Sequence, residues 1–127
     1  MNSLDANAVL RYLLDDLPTQ SQRVRLVITT SPCYVSDVIL TEVVFVLERV
    51  RRFHRADVAK LIRQLLKLGT VVSNRGLILK TLELYLRKKQ LSFPDCYAAV
   101  EARLSGDTLL TFDKDLIKHG GSDIREP

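Results

Sequence analysis

Hydrophobic and polar residues recur along this chain with the spacings of amphipathic helices and short strands. The clearest helical pattern spans residues 55–68, where the apolar positions lie three and four apart: Val58, Leu61, Ile62, Leu65, Leu66 and Leu68. Gly69 follows this run and predicts the end of the helix. The clearest strand is the segment TLLTF at residues 108–112.

The same patterns predict further helices over residues 6–14, 18–28, 37–52, 77–90, 94–104 and 114–119. Ser36 is the predicted N-cap of the helix that begins at residue 37. Short strands are predicted at residues 1–5, 34–36 and 70–73. Because strands alternate with helices, we expect an α/β fold with a parallel sheet. No linker or internal repeat interrupts the 127 residues, so we expect one domain over residues 1–127.

Composition narrows the class of protein without identifying it. Hydrophobic residues make up 46% and charged residues 27% of the chain, as in ordinary globular domains and unlike disordered or disulfide-stapled chains. Cys33 and Cys96 lack a CxxC spacing and lie far in sequence from both histidines, so we predict buried reduced thiols and no zinc site. No signal peptide or membrane-spanning run is visible, and we expect a cytoplasmic protein.

The net charge of +4 is unevenly distributed: residues 43–82 carry +7 and the remainder −3. Such a basic segment suits a polyanionic substrate whose phosphates are bound by arginines. The alternative is a solvated pair of helices with no ligand. The candidate phosphate-binding residues are Arg49, Arg51, Arg52 and Arg55. Trp is absent, and Tyr and Phe lie mostly inside patterned segments, so no aromatic platform is evident and base stacking cannot be argued from the sequence.

Several carboxylates occupy positions that suggest chemistry. Asp5 ends the first predicted strand and Asp113 directly follows TLLTF, and the carboxyl ends of parallel strands border the ligand crevice of an α/β sheet. Asp95 follows Pro94 at a predicted helix start, where the helix dipole stabilises an anion. Each aspartate is also explained, without any ligand, as a residue that caps the next helix.

Glu42 lies within VILTEVVFVL, which is apolar on every helical face. We therefore expect its carboxylate to point into protein, where it needs a cation, a hydrogen-bond partner or a cleft. The alternative is a salt bridge to a neighbouring arginine. Carboxylates that converge in one cleft require a hard divalent cation such as Mg²⁺ or Mn²⁺. No nucleophile triad, GxGxxG or P-loop motif is present.

The order of four segments resembles the PIN-domain family, and within it the VapC-type toxin ribonucleases of type II toxin–antitoxin pairs. LDANAVLRYLL resembles the opening strand, acid and helix, and VSDVILTEVVFVL the segment with the glutamate. SFPDCYAAVEAR resembles the third acidic motif, and LLTFDKDLIKH the last strand and its acid. The resemblance covers nearly the whole chain. It departs at Ala6, where the family usually has Thr or Ser.

The resemblance implies a central parallel sheet flanked by helices and a Mg²⁺-dependent endoribonuclease. It assigns Asp5, Glu42, Asp95 and Asp113 to catalysis and metal binding, with Asp115 as an alternative to Asp113. Asn7 and Thr111 match the family's polar residues beside the acids. It also implies a homodimer and a cognate antitoxin that binds in the active-site groove. Two other readings remain: a catalytically silent PIN-fold module that binds RNA or protein, and a phosphorylatable receiver domain.

Overall fold

The computed structural model describes residues 1–127. The chain forms two compact units, Met1–Arg75 and Gly76–Pro127. Every strand in both units has only two residues, so helices make up most of the structure. None of these helices combines the length and the hydrophobicity that crossing a membrane requires.

The first unit contains a three-stranded parallel sheet. Its strands are β1 (Asn2–Ser3), β2 (Cys33–Tyr34) and β3 (Val71–Val72), in the spatial order β1-β2-β3. The ladder runs one residue further, because the Leu4 amide donates to the Tyr34 carbonyl at 2.9 Å. All three strands therefore end at one edge of the sheet, and the residues after them are brought to that edge.

Four helical segments connect and cover these strands: α1 (Ala6–Leu14), α2 (Pro18–Thr30), α3 (Asp37–Phe45) and α4 (Arg55–Leu66), with one π-helical turn at Val46–Val50 after α3. Helix α2 begins at a proline, whose missing N–H and fixed φ suit a first helical position. Helix α1 packs against α2 and α3. The core between them is apolar, with fully buried side chains including Val9, Ile28, Leu40, Val43, Leu47, Ile62 and Leu65.

The second unit contains a two-stranded parallel sheet, β4 (Leu109–Leu110) with β5 (Ile124–Arg125). Its helices are α5 (Arg75–Arg87), which starts at the boundary residue, α6 (Phe93–Ser105) and α7 (Lys114–His119). Tyr85 of α5 and Phe93 of α6 are fully buried and meet edge to face, with ring centroids 5.7 Å apart. This aromatic pair joins the two helices in the core of the unit.

The expected α/β fold with parallel strands is confirmed. Ser36 is the N-cap of α3 as predicted, accepting a hydrogen bond from the Ile39 amide at 3.3 Å. Cys33 and Cys96 are buried thiols outside any disulfide, also as predicted. The helix predicted over residues 37–52 is present to Val50, with α-helical bonding to Phe45 and a π-helical turn after it, and the prediction was wrong only for its last two residues.

Two further expectations were wrong at element ends. The helix predicted over residues 55–68 ends at Leu66, and its C-cap is Lys67 in the right-handed conformation. Gly69 is not among the residues with positive φ, so it does not end the helix through a left-handed turn. Strand β5 was not predicted at all, because a two-residue strand shows no alternation of polar and apolar residues.

Candidate active site

Asp5 stands where β1 ends and α1 begins. Its Oδ1 accepts a hydrogen bond from the Ala8 amide at 2.8 Å, which makes it the N-cap of α1. The residue is exposed and lines two grooves. One, of about 410 Å³, lies between α1 and α2. The other, of about 290 Å³, lies where β2 ends and includes Tyr34 and Ser36.

The larger groove places polar and cationic side chains around Asp5. Asn7, predicted to assist the first acid, lines it together with Arg11 and Arg23. Arg11 lies 3.2 Å from a carboxylate oxygen of Asp16, whereas no salt bridge includes Arg23. Of the two cations in the groove with Asp5, Arg11 is therefore paired with Asp16 and Arg23 forms no ion pair.

Glu42 does not point into the protein, and that expectation was wrong. It lies on the exposed face of α3, while Leu40, Val43 and Val44 fill the buried face. The alternative, a salt bridge to a neighbouring arginine, does not form either, because no ion pair includes Glu42. Its carboxylate is thus hydrated and free to bind a ligand.

Asp95 occupies the first turn of α6 in a reciprocal capping arrangement. The Ser92 hydroxyl accepts from the Asp95 amide at 3.2 Å, and the Asp95 Oδ2 accepts from the Ser92 amide at 3.3 Å. Two helix-end donors are satisfied by this pair. The half-buried carboxylate is held in one orientation at the helix N-terminus, where the positive end of the helix dipole favours its charge.

Asp113 is positioned in a similar way after β4. Its Oδ1 accepts from the Leu116 amide at 3.0 Å, so it is the N-cap of α7. The Thr111 hydroxyl oxygen accepts from the Asp113 amide at 3.0 Å and fixes the backbone just before the helix. Asp115 lies in the first turn of α7 and is exposed. Thr111 therefore contacts Asp113 and not Asp115.

Three of the predicted acids take part in helix capping, and their carboxylates can still accept further ligands. Asp5, Asp95 and Asp113 each use one carboxylate oxygen for a backbone amide. A carboxylate has about four lone-pair sites, so each retains acceptor capacity for a cation. Within either unit, no group of three or more His, Cys, Asp or Glu side chains lies close enough to hold a metal ion by itself.

The donor set nevertheless fits a hard divalent cation. The first unit contains the predicted carboxylates Asp5 and Glu42, and the second contains Asp95 and Asp113. Mg²⁺ keeps several waters and is bound in proteins by one or two carboxylates together with substrate phosphates. These four side chains offer only oxygen atoms, which Mg²⁺ and Mn²⁺ prefer and softer metals do not.

The four candidate phosphate-binding arginines differ in what they contact. Arg51 forms a salt bridge with Asp16, and Arg55 lies 3.8 Å from Glu48. Arg49 and Arg52 are exposed and take part in no salt bridge. Arg52 also has a positive φ of 61° in the turn before α4. Arg49 and Arg52 can consequently bind a ligand without breaking an ion pair.

Three aromatic rings are exposed although they lie in segments that the sequence marks as patterned. Phe45 is 59% exposed and Phe112 is 75% exposed, and each lies close in sequence to a candidate acid. Tyr34 is 41% exposed and lines a groove with Asp5. The sequence did not show that these rings are exposed, because in a run of apolar residues the pattern alone does not tell which of them face the core. The only sequence feature that set these aromatic residues apart was their closeness to the candidate acids.

A comparison with models of protein families shows which family the chain belongs to. The model of the PIN domain family matches residues 3–121, which include every candidate acid. The chain belongs to the PIN domain family, a nuclease fold whose members generally depend on a divalent metal and act on RNA. The receiver reading is thereby excluded. No curated protein matches the sequence at a significant level.

Proposed function

We propose that this protein is a Mg²⁺-dependent endoribonuclease and the toxin of a type II toxin–antitoxin pair. One observation carries the nuclease proposal: in a PIN domain, three of the predicted acids stand at helix starts with one oxygen fixed by a backbone amide and the rest available. Preorganised carboxylates of this kind suit a metal ion that must be held in one place.

The proposal assigns metal binding to Asp5, Glu42, Asp95 and Asp113. When bound, Mg²⁺ or Mn²⁺ supplies Lewis-acid activation of a water and neutralises charge on the scissile phosphate. The capping bonds keep the three aspartates from rotating away, and the hydroxyl of Thr111 supports the backbone of Asp113. Glu42, which no hydrogen bond restrains, contributes a mobile carboxylate to the same function.

Substrate binding is assigned first to the uncommitted cations. Arg49 and Arg52 are available for RNA phosphates without breaking an existing ion pair. Arg51 and Arg55 would have to leave the carboxylates of Asp16 and Glu48, so their contribution should be smaller. The basic segment of residues 43–82, with a charge of +7, supplies the long-range attraction for a polyanion.

The nuclease assignment is tested by charge-removing substitutions. Asp5→Asn and Asp95→Asn should abolish Mg²⁺-dependent cleavage of single-stranded and structured RNA, because asparagine keeps the shape of the side chain and loses its charge. Asp107→Asn is the matched control, since Asp107 is an exposed acid that follows Gly106 at the end of α6. Undiminished cleavage by both site variants would disprove the assignment.

The toxin role, the antitoxin and the homodimer rest on the resemblance to VapC-type proteins. Expression of the chain should arrest bacterial growth, and Asp5→Asn should relieve the arrest. A small partner encoded in the neighbouring open reading frame should restore growth and inhibit cleavage in vitro. A purified protein that cleaves RNA but neither arrests growth nor binds such a partner would be a nuclease with another role.

A catalytically silent PIN module is the second candidate. It is favoured by the absence, within either unit, of three ligands close enough for one metal ion. A calorimetric titration with Mn²⁺ distinguishes the two functions. Binding that is lost in Asp5→Asn supports the nuclease, whereas no binding to the folded protein supports the silent module.

A further inference from the structure

Helix α3 and the π-helical turn that follows it expose three side chains at helical spacing. Glu42 is exposed, Phe45 three residues later is 59% exposed, and Arg49 four residues further is also exposed. Residues three and four apart on a helix are neighbours, with Cβ atoms about 5–6 Å apart. Helical spacing therefore places Phe45 next to Glu42 on α3 and about one turn before Arg49 of the π-helical turn.

A hydrophobic core lies next to Phe45, and yet its ring is exposed to solvent. Its neighbours Val44 and Leu47 are fully buried, so this helix has a complete apolar face without it. Val38, two turns earlier, is 77% exposed on the same side as Phe45. A single exposed hydrophobic residue needs no explanation. What distinguishes Phe45 is its place between a candidate metal ligand and an uncommitted arginine.

The charges around the ring indicate what would cover it. Arg49 forms no salt bridge, and neither does Arg52 in the turn that follows. In the sequence, the segment of residues 43–82 that contains Phe45 has a charge of +7. A segment of this charge attracts a polyanion. An aromatic face beside cations is the arrangement on which single-stranded nucleic acids stack their bases.

We propose that Phe45 is a stacking platform for one base of single-stranded RNA, with Arg49 binding the phosphate next to that base. This inference rests on the proposed ribonuclease function and adds a subsite to it. The stacked nucleotide lies one helical turn from Glu42, so the platform orients the strand relative to the candidate acids. Duplex RNA has no free base face to offer, and this subsite therefore selects unpaired segments.

Binding is tested without cleavage, in the Asp5→Asn background and with EDTA, so that the result does not depend on nuclease activity. The chain contains no tryptophan, and Phe45→Trp therefore introduces a single fluorophore at the platform. A short oligoadenylate should quench its emission in a saturable manner, with weaker binding at higher salt. Leu26→Trp is the control, because Leu26 is 66% exposed on α2 and outside both Asp5 grooves.

Three substitutions separate stacking from apolar contact. Phe45→Ala should weaken oligoadenylate binding by about 5- to 150-fold, the range expected for one stacked base. Phe45→Tyr should bind nearly as the parent, and Phe45→Leu nearly as weakly as Phe45→Ala, because leucine keeps apolar area without a π-face. Circular dichroism checks that each variant is folded, which the exposure of the residue favours.

Each outcome decides the proposal. Quenching at Phe45→Trp but not at Leu26→Trp, with a loss of affinity in Phe45→Ala and Phe45→Leu, supports it. Equal affinity in the parent and Phe45→Ala overturns it, as does full binding by Phe45→Leu. Self-association that disappears in Phe45→Ala while RNA affinity stays unchanged assigns the surface to a second copy instead. A parent that binds RNA in this way but never cleaves it leaves the platform standing and refutes the nuclease function.

Discussion

Substituting Asp113 and Asp115 separately distinguishes helix capping from metal binding at the end of β4. Asp113 caps α7 through the Leu116 amide, and Thr111 supports its backbone, whereas Asp115 is exposed in the first helical turn. A carboxylate that is already fixed loses little freedom when it binds a metal, so we expect Asp113 to be the ligand. Asparagine caps a helix about as well as aspartate but carries no charge.

The two roles therefore respond differently to substitution. Asp113→Ala removes the cap and should cost about 1 kcal/mol of stability. In a domain of this size that lowers the melting temperature by roughly 3–5 °C. Asp113→Asn should melt within about 1 °C of the parent, since the cap remains. Both variants should cleave RNA at least about 100-fold more slowly, because a lost ligand removes several kcal/mol of charge stabilisation. Asp115→Asn should match the parent in both respects.

Thermal denaturation without metal measures the capping effect, and single-turnover RNA cleavage with Mg²⁺ measures the ligand effect. If Asp113→Asn melts as low as Asp113→Ala, the capping bond does not stabilise α7. If Asp115→Asn abolishes cleavage and Asp113→Asn does not, the argument from preorganisation is refuted and Asp115 is the ligand.

Three further predictions concern the other parts of the molecule. Ser92→Ala should destabilise the protein by about 1 kcal/mol and raise the Mg²⁺ concentration needed for half-maximal cleavage, since Asp95 loses its support; an unchanged Mg²⁺ requirement would contradict this. Arg52→Ala should reduce the slope of log affinity against log salt concentration for RNA binding by about 0.7. Arg51→Ala should leave this slope unchanged, because Arg51 is already paired with Asp16. Equal slopes for the two variants would refute the distinction between the paired and the unpaired arginine. Leu47→Ala should cost about 2–5 kcal/mol in urea denaturation, because the side chain is fully buried; a loss below 1 kcal/mol would place it outside the core.

Sequence reasoning predicted the elements whose limits are set by local chemistry. Helix α1 was predicted residue for residue, because Asp5 supplies a cap just before the first helical position. Helix α7 was likewise predicted to the residue between Asp113 and Gly120. Strand β5 was missed, because two residues carry no periodicity and only pairing with β4 defines it.

The environment of Glu42 could not be read from its neighbours. Every residue around it in VILTEVVFVL is apolar, so hydrophobicity alone left no exposed face on which to place a carboxylate. In the fold, the buried face is narrower than the apolar run, and Val38 and Phe45 are left outside with the acid. Which side of a uniformly apolar helix meets the core depends on the packing partners, and these are set by tertiary structure.

If the candidate acids bind a metal as proposed, their capping bonds couple metal binding to the opening of helix ends. A first helical turn frays readily, and when it opens, the amide that was bonded to the cap exchanges its hydrogen with solvent. A cation bound at Asp5, or one bound at Asp113, would also hold closed the helical turn that this residue caps. Hydrogen exchange at the Ala8 and Leu116 amides should therefore slow when Mg²⁺ is added, which gives a residue-level record of metal binding that needs no RNA and no cleavage.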